Sequence, residues 1–278
     1  MNTFIVFDLD ETIGYFTQFG IIWESMQQVF NNDLNQEHFN CLLDLYPNYL
    51  RPNILTIFRY LIKIKKANHN LKIILYTNNQ GPKSWSNFII NYVHKKINYE
   101  LFDQLIYAYK VNGRHIEYKR TTHNKTYSDF KRCVDCGKYN QICFIDDQYH
   151  PYMNHKNIYY LNIKPYYYDY NIKNMLNTFF SSECYKTICS NLNYKDNRSK
   201  YIKQIDNYIN SFQFIQKEKT ESETKIDKVL SKKLMFHIQK FIKLHLNNKV
   251  NNVTMKNKSN KNKSNKNKSK KNKSKKND

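Results

Sequence analysis

The chain has 278 residues and a formal charge of +22, with 40% hydrophobic and 15% aromatic residues, enough for one sizeable globular domain plus appendages. No apolar run approaches the ~18 residues of a membrane span, and the six cysteines, at 41, 133, 136, 143, 184 and 189, follow no secreted disulfide spacing. A soluble intracellular protein in a reducing compartment is expected, cytoplasmic or nuclear, and a first strand beginning at residue 3 or 4 leaves no room for a signal peptide.

The first expected element is a buried strand over 2–7, whose run FIVF leads directly into Asp8, Asp10, Glu11 and Thr12. Carboxylates this close repel one another, so the turn needs a cation or open water. Between residues 13 and 49, Trp23, Met26 and Phe30 fit one helix face, and Phe39, Leu42 and Leu43 another, which predicts a small cap beside the acidic turn. Arg51-Pro52 opens a helix carrying Ile54, Leu55, Phe58, Leu61 and Ile62 at helical spacing. LKIILY at 71–76 is a second buried strand, stopping at Thr77, and Trp85 to Val93 form the next amphipathic helix.

A short third strand is expected within 101–109, then a polar, irregular stretch over 112–125. QICFI at 141–145 is another buried strand and again ends at two acids, Asp146 and Asp147. A last strand over 158–163 precedes a helix from about 171 to 180. Strands alternating with helices predict a parallel α/β sheet with helices on both faces, in which ligands bind beyond the carboxyl ends of the strands. Asp8, Asp10, Thr77, Asp146 and Asp147 all lie at such ends.

Beyond residue 190 the character changes. The stretch 190–220 is polar, and 224–246 reads as a basic amphipathic helix with Ile226, Val229, Leu230, Leu234, Ile238, Phe241 and Ile242 on one side. That helix packs on the main domain or a partner; adsorption to a membrane surface is the alternative. Residues 249–278, with the repeat KNKSN/KNKSK over 256–275, are expected to form a disordered basic tail, either a solubilising low-complexity segment or one that attracts nucleic acid, an acidic protein or an anionic membrane. The resulting domain plan is 1–185, a helical extension over 186–248, and the tail.

Several carboxylates converging at strand ends form a hard, oxygen-rich pocket suited to Mg²⁺. Asp8 can then attack phosphorus as a carboxylate nucleophile. Asp10, two residues on, is placed to protonate the leaving oxygen and later to activate water. Asp8, Asp10, Asp146 and Asp147 are the candidate metal residues, and Thr77, Asn78 and a lysine the candidate phosphate cradle.

DLDET, LYTNN and FIDD resemble motifs I, II and IV of the haloacid dehalogenase (HAD) superfamily. The chain is more closely similar to the phosphatases of the RNA polymerase II C-terminal domain, including the NLI-interacting-factor-like small phosphatases. LRPNILTIFRYL at 50–61 looks like that family's helix before motif II, and KTYSDF at 125–130 like its motif III, which singles out Lys125 and Ser128. The resemblance covers roughly residues 3–180. It implies a HAD-like Rossmannoid sheet with a small cap, and phosphomonoester hydrolysis through an aspartyl-phosphate on Asp8. It also implies Mg²⁺ on Asp8, the Asp10 carbonyl and Asp146, with Asp147 either behind these ligands or reaching the ion through water, Thr77 and Lys125 on phosphate, and a phosphoprotein substrate. Asn78-Asn79-Gln80-Gly81 departs from the small residues usual after motif II, and Lys119 and Lys131 compete with Lys125. The alternatives are a nucleotide or polynucleotide-end phosphatase and a non-catalytic binding module.

Other features read as ordinary structure. Cys133 and Cys136 could begin a zinc site, but a lone CxxC lacks its second pair and reads as a loop. His150 and His155, just after FIDD, could reach the pocket mouth but read as exposed loop histidines; Tyr166, Tyr167, Tyr168 and Tyr170 could stack on bases or grip a peptide but read as partial cover for the sheet edge.

Overall fold

The computed structural model describes residues 2–135 and 140–247. The chain divides into two compact units, Met1–Met235 and Phe236–Asp278; the first holds the sheet. In chain order the elements run β1 (Thr3–Phe7), α1 (Thr17–Val29), α2 (Gln36–Asp44), α3 (Ile54–Ala67), β2 (Leu71–Tyr76), α4 (Lys83–Ile97), β3 (Gln104–Ile106), β4 (Lys110–Val111), β5 (Arg114–His115), α5 (Tyr127–Val134), β6 (Gln141–Asp146), β7 (Ile158–Asn162), α6 (Ile172–Phe180), α7 (Glu183–Asn191), α8 (Arg198–Ser211) and α9 (Glu221–Ile242).

Five strands form one all-parallel sheet in the order β3-β2-β1-β6-β7. Successive side chains of a strand face opposite sides, and both sides of β1 are covered, hence its unbroken apolar run. Phe4 meets Phe130 of α5 edge-on at 5.7 Å, whereas Phe7 meets Phe58 of α3 at 5.3 Å. Helices therefore flank both faces. Because the connections from β1 lead to β2 on one side and eventually to β6 on the other, the crevice between β1 and β6 is the topological switch point.

The structure departs from the expected elements in several places. The stretch 112–125 is not wholly irregular, since Asn112 (φ 48°) and Gly113 (φ +76°) turn the β4–β5 hairpin. The polar stretch after 190 contains α8, whose Tyr201, Ile205 and Ile209 are buried one turn apart. The apolar stripe expected on α9 is only partly buried: Leu234, Ile238, Phe241 and Ile242 are buried, whereas in the first turns Ile226 and Val229 are exposed and Asp227 and Ser231 are buried. Buried Asp227 is paired with Lys219, which reconciles a carboxylate with that position. Contrary to the expectation of reduced thiols, Cys41 of α2 and Cys184 of α7 form a disulfide. No helix among the described residues is long and apolar enough to cross a membrane. The 249–278 tail lies outside the described residues.

Candidate active site

The register of the sheet brings two acids together. Phe7 is level with Ile145, and the Asp8 N–H donates to the Ile145 carbonyl at 2.9 Å. Asp8 and Asp146 are thus one step beyond paired residues, on the face that carries Val6 and Phe144. Helix α5 covers that same face. Thr126 caps it, its hydroxyl accepting from the Asp129 N–H at 3.0 Å. Lys125 precedes the cap directly and is therefore delivered over the strand ends. Its fully buried ammonium donates to Asp146 Oδ2 at 2.6 Å and also to Asp8 Oδ1.

A tight loop follows Asp8. The Ile13 N–H returns to the Leu9 carbonyl at 2.9 Å and the Glu11 N–H to the Gly14 carbonyl at 2.7 Å. Glu11 adopts φ +57°, an uncommon conformation for a residue with a side chain. Gly14 is required there, since a Cβ would sit 2.4 Å from the Tyr49 carbonyl oxygen. The loop brings Thr12 under Asp147: its hydroxyl donates to Asp147 Oδ1 and accepts from the Asp147 N–H, both at 3.1 Å. The threonine that completes DLDET thereby positions an acid 135 residues away.

Beyond β2, buried Thr77 accepts the Asn79 N–H at 2.9 Å. The Asn79 amide donates to Asp10 Oδ2 at 2.8 Å. Asn78 lines the pocket, but its side-chain oxygen is taken by Arg120 at 2.7 Å. Arg120 is buried and has no carboxylate among its hydrogen-bond partners. Its fork also donates to the carbonyls of Thr77, Tyr107, His123 and Asn124, tying the Thr77 loop to the segment that carries Lys125.

His150, expected to be an exposed loop residue, instead places Nε2 3.2 Å from Asp146 Oδ2. His155 stacks on Tyr127 at 4.1 Å, and Ser128 pairs with the Thr126 hydroxyl at 3.1 Å. Buried Tyr166 is no mere edge cover, since its N–H donates to the Glu11 carbonyl at 2.9 Å. Cys133 is buried in the core, where burial pushes its thiol up to about 12. The CxxC partner Cys136 lies outside the described residues.

Electrostatics follow from this packing. Burial pushes the Asp8 carboxyl well above the usual range against the pull of Lys125, and Asp146 and Asp10 add repulsion. Asp10 is raised by burial despite the Asn79 donation that favours its anion. Asp147 is raised by burial and by Asp146. Burial would raise Asp146 too, but Lys125 and His150 outweigh it and hold that group below its ordinary value. Burial opposes the Lys125 charge, yet Asp8 and Asp146 prevail and raise it.

Asp8, Asp146 and Asp147 present ligand oxygens within 4.8 Å of one another and could hold a metal ion. The donor set is all oxygen, and one lysine cannot neutralise three acids, so a hard divalent cation such as Mg²⁺ fits. The Asp10 carboxylate is turned to Asn79 instead. The pocket around these groups measures about 140 Å³ and also admits Glu11, Gln148 and His150 to its walls. No protein-family model, curated protein or solved structure matches the chain.

Proposed function

We propose that the protein is a HAD-type, Mg²⁺-dependent phosphomonoester hydrolase, with phosphoproteins as its substrates. The observation that carries this reading is Lys125 buried between Asp8 and Asp146 at the switch point, with Asp10 two residues on and Asp147 beside them. The motifs DLDET, LYTNN and FIDD add their resemblance to it.

In this mechanism Asp8 attacks phosphorus, and the P–O bond to the leaving alcohol breaks as Asp10 gives that oxygen its proton. Asp10 then takes a proton from water, which attacks the phosphorus of the aspartyl-phosphate. Inorganic phosphate leaves and the Asp8 carboxylate returns. Asp8, Asp146 and Asp147 would hold Mg²⁺, whose charge offsets that of the phosphoryl oxygens and lowers the cost of ionised Asp8. Lys125 and the Thr77 loop orient the same group. Asn79 holds Asp10 beside it.

The test is release of phosphate from p-nitrophenyl phosphate and phosphoserine peptides by the full chain with Mg²⁺. Wild type should turn over and be silenced by chelation. Asp8→Asn should lose activity by at least about 10³-fold. Unchanged turnover in that variant, or none in wild type on any substrate, refutes the reading. The basic tail favours a second reading, a polynucleotide-end phosphatase, which phosphorylated oligonucleotides would reveal.

A further inference from the structure

The candidate pocket is small, at about 140 Å³. A groove of about 980 Å³ lies alongside and shares Asp10 and Asn79 with it. Its walls come from Ile21 and Glu24 of α1, Trp85 and Phe88 of α4, and Tyr208 and Phe212 at the end of α8. Helix α8 is held against α1 by Phe30 and Tyr201, 5.6 Å apart. The Tyr208 hydroxyl donates to Glu24 at 3.0 Å, and Phe212 is 48% exposed with nothing covering that half.

Two properties of the groove define its occupant. The first is its position. Asp10, the leaving-group acid of the proposed reaction, stands on the boundary between pocket and groove. The atom that receives its proton is the first atom of the leaving group, so the remainder of the substrate emerges into the groove.

The second is its charge. The chain carries 45 lysines and arginines, yet none of the described residues lining the groove is Lys, Arg or His. Among the described residues, its only charged side chains are those of Asp10 and Glu24. A polynucleotide brings a negative charge every ~3.4 Å of strand and would meet two carboxylates with no cation to offset them. Aromatic walls with an acidic rim suit an apolar side chain followed by a basic one.

We propose that this groove receives the polypeptide flank of a phosphorylated protein, with an aromatic or aliphatic residue against Trp85 and Phe212 and a Lys or Arg near Glu24. The inference rests on the phosphatase reading and adds the substrate's flanking chemistry to it. Helix α8, which lies outside the region of family resemblance, builds one wall of the selectivity site.

Matched phosphoserine peptides test this, one with Phe and Arg flanking the phosphoserine and one with Gly and Asp, beside a 3′-phosphorylated oligonucleotide. On the full chain with Mg²⁺, kcat/KM for the Phe/Arg peptide should exceed that for the Gly/Asp peptide by about tenfold or more, and the oligonucleotide should rank last. Phe212→Ala should collapse the Phe preference and Glu24→Gln the Arg preference, whereas Tyr118→Ala, remote from the groove, should leave both. The same peptides titrated by anisotropy onto Asp8→Asn read binding without turnover. Equal affinity for both peptides there, or an oligonucleotide turned over as well as the Phe/Arg peptide, overturns the proposal. Hydrolysis of p-nitrophenyl phosphate without flank preference sinks the groove alone. Flank-selective binding without hydrolysis of anything sinks the phosphatase reading and leaves the groove standing.

Discussion

Replacing Lys125 with Met tests the electrostatic design most directly. The ammonium is buried between Asp8 and Asp146, with Asp146 Oδ2 at 2.6 Å. Met keeps much of the apolar stem and removes only the charge and its donors. Two carboxylates then remain buried, and breaking a buried ion pair from one side costs about 3–5 kcal/mol. For a unit of this size that corresponds to a fall in Tm of roughly 6–20 °C at neutral pH without Mg²⁺. The pH dependence has a definite sign. In the variant both acids have folded pKa values above their unfolded ones, so the penalty exists above those values and fades on acidification. In wild type the Asp146 value is lowered, so its stabilisation is lost as pH falls through it. The gap between the two stability curves should begin to narrow below neutral pH, as the variant's acids protonate, and go on narrowing below about pH 4, where wild-type Asp146 takes its proton. Added Mg²⁺ should narrow the neutral-pH gap as well. Turnover should fall by about 10²–10³-fold. Calorimetry at several pH values, with Lys119→Met and Lys131→Met as controls, measures the effect. A Lys125→Met protein within about 2 °C of wild type at neutral pH, or a gap indifferent to acid, would refute the assignment.

Two further outcomes are expected. Asn79→Ala removes the donor that favours ionised Asp10, so the Asp10 pKa rises. The alkaline limb of kcat/KM on p-nitrophenyl phosphate, scanned between about pH 4 and 9, should move upward; an unmoved limb would mean that another group supplies the proton. The Cys41–Cys184 disulfide spans a sequence separation of 143 residues. Chain entropy alone then predicts that reduction costs about 5 kcal/mol, seen as a lower Tm. Peptide mapping should find Cys133, Cys143 and Cys189 free, and ready alkylation of Cys41 without reductant would contradict the bond.

What the sequence reveals here, and what it hides, divides along a physical line. Strands β1, β2 and β6 are legible because a strand buried on both faces must be continuously apolar, and the acids ending two of them stand out against that background. Lys125 was legible only through the motif it resembles, being one lysine among many. His150, Arg120 and Asn79 were not legible, because their roles arise where loops from distant elements meet. Arg120 binds carbonyls, and a carbonyl acceptor leaves no trace in side-chain pattern. On α9 the pattern misleads only in the first turns, where pairing with Lys219 lets Asp227 be buried while Ile226 and Val229 are exposed. The Asn112-Gly113 hairpin carries its turn signal in that dipeptide, set within a stretch that is otherwise polar.

The acidic loop holds Glu11 in a left-handed conformation beside Asp8, and a clamp of backbone contacts keeps it there. Arg51 donates to the Thr12 carbonyl at 2.7 Å, to that of Glu11 at 2.5 Å and to that of Lys164 at 2.9 Å. Tyr166 adds its N–H to Glu11 and lies under the Arg51 guanidinium at 5.5 Å. Burial lowers Arg51 to about 10, which still leaves it charged at neutral pH. Lys219 in turn sits 4.3 Å from the centroid of the Tyr166 ring and is paired with Asp227 of α9. The loop is therefore fixed from the β7 side, the start of α3 and the extension at once. The phosphoryl transfer proposed above would depend on positioning more than on intrinsic reactivity of the carboxylate. A domain boundary at 185 would sever Lys219 from this clamp and Tyr208 and Phe212 from the groove, so the extension up to Met235 belongs with the sheet, in keeping with the single compact unit that contains both.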